Sequence, residues 1–161
     1  MAVAGSGGSM ALNTFGAVLR YAIEMEERAA QFYSGAAAAA KDSQVTGFLR
    51  DLAVVRARRA QQVTRIRREN VAEMILEPVA NMDGRSYARN LDLSGDASDS
   101  ERLRMASLLE EDAQRFYLDA GQRLSIAEVS RALSRLAKEN GQAKSKADAL
   151  RPGSLDQPDP G

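Results

Sequence analysis

The segment Ala22-Ile23-Glu24-Met25-Glu26-Glu27-Arg28-Ala29-Ala30-Gln31-Phe32-Tyr33 recurs 84 residues later as Ala106-Ser107-Leu108-Leu109-Glu110-Glu111-Asp112-Ala113-Gln114-Arg115-Phe116-Tyr117. Six of the twelve positions are identical, where average amino-acid usage predicts about one. The same offset pairs Ala36 with Ala120, Val45 with Val129, Leu49 with Leu133, Leu52 with Leu136 and Ala53 with Ala137. A chain that repeats itself this way must pack two like halves together. The apolar spacing of three and four makes each half a helical hairpin, and each copy places one glutamate among apolar residues.

Composition narrows the chemistry. The 161 residues suit one domain, which buries roughly 70% of its unfolded surface. Lysine plus arginine balance aspartate plus glutamate at 22 each, so no global field gathers nucleic acid or anionic lipid. There is no cysteine and no histidine. Disulfides, thiolate chemistry and the commonest transition-metal ligand are therefore excluded. No apolar run reaches the roughly 18 residues of a membrane span, and the N-terminus lacks signal-peptide character. A cytoplasmic protein is expected.

Residues 1–12 read as a flexible leader, with Gly5-Ser6-Gly7-Gly8-Ser9 resembling an expression linker. A bundle is expected over 13–150 and a disordered tail over 151–161, where three prolines and two glycines gather. The first helix should start at Asn13 or Thr14 and end near Ala40. Its inward stripe is Phe15, Leu19, Ala22 or Ile23, Glu26, Ala29 or Ala30, Tyr33, and Ala36 or Ala37. A short turn at Lys41-Asp42-Ser43 leads into a second helix ending near Met74. Pro78 and the polar stretch to Ser100 are long enough to cross from one end of a bundle to the other. Capping boxes at Ser98-Asp99-Ser100-Glu101 and Ser125-Ile126-Ala127-Glu128 start the third and fourth helices, with Gly121 as the stop between them. The expected fold is all-α: an antiparallel four-helix bundle of two duplicated hairpins joined by one long crossover.

Within that fold the inward stripes carry residues foreign to an apolar core. Glu26 and Glu110 occupy matching places on the first and third helices. Arg56 and Arg59 lie on the inward stripe of the second helix, and Asn140 is the repeat counterpart of Arg56. Glu26 lies about sixteen residues before the turn and Arg56 about twelve after it. At a rise of roughly 1.5 Å per residue these side chains share a height. The spacing predicts one interior polar layer of Glu26, Arg56, Arg59, Glu110 and Asn140, in which the arginines neutralise both glutamates. Phe32-Tyr33 and Phe116-Tyr117 are assigned to core packing near the hairpin ends.

The pattern A-x-x-x-E-x-x-A-x-x-F-Y, followed about 25 residues later by a Leu-Ala pair, resembles the rubrerythrin-like branch of the ferritin-like superfamily. The likeness runs from Asn13 to Leu150. It implies a ferritin-like bundle with a dimetal centre of iron or manganese. Each hairpin would supply one glutamate from its first helix and an E-x-x-H pair from its second. Glu26 and Glu110 match the first-helix metal ligands. The E-x-x-H positions hold Arg56-Ala57-Arg58-Arg59 and Asn140-Gly141-Gln142-Ala143, so all four second-helix ligands are replaced. Arginine offers only hydrogen-bond donors and stays cationic, the reverse of what a metal needs.

Two functions follow from the resemblance. In the first, the dimetal centre is lost, no cofactor is bound, and the chain is a non-catalytic binding or assembly module. In the alternative it is a rubrerythrin-type iron or manganese oxidoreductase or peroxidase with a degenerate site. A homodimer is expected, with Tyr21, Met25 and Val54 as apolar contact candidates, or else a further protein partner. Neither a membrane nor nucleic acid is expected as partner: the arginines of the second helix lack interleaved aromatics.

Overall fold

The computed structural model describes residues 10–151. Among the described residues five α-helices form: α1 (Phe15–Ala39), α2 (Ser43–Glu69), the short α3 (Val71–Leu76), α4 (Asp99–Arg123) and α5 (Ala127–Leu150). The hairpins α1–α2 and α4–α5 are the tightest pairings, as the short turns dictate for antiparallel neighbours. Helices α1 and α4 are both 25 residues long and begin 84 positions apart, at Phe15 and Asp99, as do α2 and α5, at Ser43 and Ala127.

Polar caps set most of these bounds. Thr14 accepts from the Ala17 amide at 3.0 Å. Asp42 accepts from the amides of Gln44 and Val45, and Ser98 from that of Glu101. Each satisfies an amide that the first helical turn leaves unpaired. The Asp99 carboxylate also accepts from the amides of Lys41 and Asp42, which pins the α1–α2 turn to the start of α4.

Four expectations need correction. The second helix breaks at Asn70 instead of running straight to Met74: the Asn70 side chain donates to the Ile66 carbonyl at 2.7 Å, competing with the helix ladder. Gly121 does not stop α4, which continues to Arg123. It sits where α5 passes close by, with Ser134 Oγ 3.4 Å from a Cβ built there. Ser125 does not cap α5. The cap position is Ile126, without a side-chain bond, because Ser125 donates instead to the Glu77 carboxylate. Finally, residues 10–12 are no loose leader. Leu12 is buried, its amide donates to the Met82 carbonyl, and the Met10 carbonyl accepts from Gly84. The rest of the expected leader and residues 152–161 of the expected tail lie outside the described residues.

The crossover makes a left-handed turn at Asn81 (φ 64°), a conformation asparagine tolerates, and then a 3₁₀ turn at Gly84–Ser86. It folds back over α1 and α4. Tyr21 donates to the Gly84 carbonyl at 2.9 Å and packs against Tyr87 and Phe116. Tyr21 is therefore covered, not an outer contact candidate. Two apolar clusters fill the bundle. One gathers Phe15, Leu19, Val63, Phe116 and Leu133; the other gathers Tyr33, Val45, Phe48, Leu49 and Leu103. Among the described residues no helix is long and apolar enough to cross a membrane.

Candidate functional site

Four helices each contribute to a charged layer in the bundle interior. Glu26 from α1, Arg56 from α2, Glu110 from α4 and Asn140 from α5 are all at most 1% exposed. Ionised groups at that depth persist only when paired and hydrogen-bonded, and here each carboxylate is. Arg56 Nε donates to Glu26 Oε1, and its Nη1 donates to Glu110 Oε2 at 2.5 Å. Asn140 Nδ2 donates to Glu110 Oε1 at 2.8 Å. The planar guanidinium thus joins both halves through two separate nitrogens, a geometry lysine lacks.

Two tyrosines complete the layer. Tyr33 donates its hydroxyl to Glu110 Oε2 at 2.7 Å, and Tyr117 donates to Glu26 Oε2. They are repeat counterparts, and each reaches the glutamate of the opposite hairpin. Both rings are fully buried, so the packing role read from sequence holds but omits the hydroxyls. Burial pushes both phenols well above their ordinary pKa, and the adjacent carboxylates push the same way. Burial also opposes the charge on Arg56, but the Glu110 and Glu26 carboxylates outweigh it and hold the guanidinium well above its ordinary value.

Arg59 does not join this inner group. It is buried, and its Nη2 donates to Glu139 Oε1 at 3.0 Å. Three residues further along α2 correspond to a rotation of about 300°, which turns Arg59 toward α5. Its Nε and Nη1 have no hydrogen-bond partner among the described residues, nor has Asn140 Oδ1. Glu139 precedes Asn140 directly, and its position beside the predicted layer was the available signal for this pair.

The arrangement can be tested against a dimetal centre. Every carboxylate oxygen of Glu26 and Glu110 already accepts a bond from arginine, tyrosine or asparagine. A guanidinium contacts both carboxylates where bridging cations would need them. Metal ions require neutral or anionic donors; the second-helix positions supply two arginines, an asparagine and an alanine. The residues present do not fit a pair of metal ions. Among the described residues no group of three or more His, Cys, Asp or Glu is arranged to hold one. What the layer does is bridge two opposed carboxylates through one guanidinium, with neutral donors on their remaining oxygens, and tie all four helices together.

A family model described as a ferritin-like domain matches residues 16–150. Neither a curated protein nor a solved structure matches the sequence.

Proposed function

The chain belongs to the ferritin-like domain family, and on that premise we propose that it is a rubrerythrin-like member built from two copies of one hairpin, whose dimetal centre has given way to an ion-pair layer. The observation that carries this reading is Arg56, whose guanidinium bonds to Glu26 and Glu110 together. With both glutamates engaged by arginine, asparagine and tyrosine, the bundle serves as a non-catalytic binding or assembly module in the cytoplasm. In that role copies pair across the outer face of α1–α2, where Val54 is 52% exposed beside Ala30, Ser34 and Ala57.

Two measurements test this. Ferrous iron oxidation and peroxide consumption by the full chain should equal the buffer blank, and sustained turnover overturns the non-catalytic reading. Sedimentation should give a dimer that Val54→Arg converts to monomer; a monomeric parent removes the assembly role. The second reading, a rubrerythrin-type oxidoreductase, draws on the retention of Glu26 and Glu110 with a tyrosine on each. It requires the metal-dependent turnover that the first assay measures.

A further inference from the structure

Beneath the crossover lies a cavity of about 30 Å³, room for about two waters or one small anion, since a water needs roughly 10–15 Å³. Its apolar wall includes Met25 and Leu109, which are repeat counterparts, so the cavity lies where the two hairpins face each other. Its charged wall is Arg28, Arg56, Arg89 and Asp112; Arg56 carries Glu26 and Glu110 on its other edges. Glu26 and Glu110 are not part of the wall.

The four charges are not equally engaged. Asp112 is held by Arg89 at 2.7 and 3.1 Å and by Arg115 at 3.1 Å. Arg56 commits Nε and Nη1 to the glutamates. Its Nη2 has no hydrogen bond among the described residues, although the side chain lines the cavity. Arg28 is exposed and forms no ion pair among the described residues. Arg28 is also the repeat counterpart of Asp112, so it places at this wall a cation that no described carboxylate engages, facing the position its own repeat fills with an acid.

We propose that this cavity binds a small monovalent anion of the size of formate or nitrate, held by Arg28 and the free edge of Arg56 and closed over by Tyr87 to Arg89 of the crossover. Charge-assisted bonds from guanidinium to a planar oxyanion match in geometry. Asp112 on the same wall penalises a second negative charge, which favours a monovalent anion over a divalent one.

Formate is the probe. The full chain is titrated at constant ionic strength and followed by amide nuclear magnetic resonance. Saturable shifts are expected at residues 28, 87–89 and 109–112. Arg28→Gln should weaken binding about tenfold, the loss of one charge-assisted hydrogen bond, and Arg28→Lys should recover part of it. Shifts that rise linearly with formate, or that saturate equally in parent and Arg28→Gln, overturn the proposal and leave a cavity that holds water.

Discussion

Arg56 holds apart two carboxylates that would repel each other in a medium of low dielectric. A buried pair of this kind contributes little net stability, yet removing one member leaves a naked charge. Arg56→Leu should therefore cost about 3–5 kcal/mol, read from urea unfolding; a loss under about 1 kcal/mol contradicts the role given to the guanidinium. Tyr117→Phe removes one hydrogen bond to a charged group and should cost about 1.5–3 kcal/mol in the same measurement. Most of the layer was legible in the sequence, because the offset of 84 and the helical rise together place Glu26, Arg56, Glu110 and Asn140 at one height. The tyrosine hydroxyls were not. Tyr33 lies seven residues from Glu26, two turns away on its own helix, and reaches Glu110 of the other hairpin at 2.7 Å. A contact between helices that are distant in sequence leaves no mark in the periodicity of either one.

At the scale of elements, cap residues announced the helix starts because a side-chain acceptor two or three residues ahead of an unpaired amide is a local feature. Ser98 is read directly, and Thr14 is one of the two candidates, Asn13 or Thr14, that the sequence offers. Ser125 misled because its true partner, Glu77, is 48 residues away. The crossover is the element with no repeat counterpart, and its seating depends on Gly84. A Cβ there would lie 2.7 Å from Tyr21 Cε2, inside the aromatic cluster. Gly84→Ala should destabilise by about 1–3 kcal/mol through overpacking. Gly35, exposed and helical one turn before the end of α1, with nothing within 4 Å of a built Cβ, should show the opposite sign: Gly35→Ala stabilises by about 0.5–1 kcal/mol. Thermal midpoints of the two variants check both, and equal effects refute the contrast.

Taken as a whole, the molecule protects every one of its four tyrosines. Burial raises Tyr21 to about 12, and burial first, with nearby carboxylates, raises Tyr33, Tyr87 and Tyr117. A phenol whose folded pKa exceeds its unfolded one binds more protons when folded. Stability is then fully present below the unfolded value of 10.0 and falls as pH rises from there through about 12, where Tyr21 ionises. Tyrosinate absorbance should therefore appear together with loss of helix, and tyrosinate forming near pH 10.0 in a fully helical protein contradicts the buried assignments. The central claim, that Glu26 and Glu110 are held by Arg56 and its hydrogen-bonding neighbours and not by metal ions, is met most directly by elemental analysis of the full chain, grown with added iron and manganese and purified without chelators. The account predicts far less than one metal ion per chain. One or two equivalents of iron or manganese per chain, lost in the Glu26→Gln and Glu110→Gln variants, would contradict it.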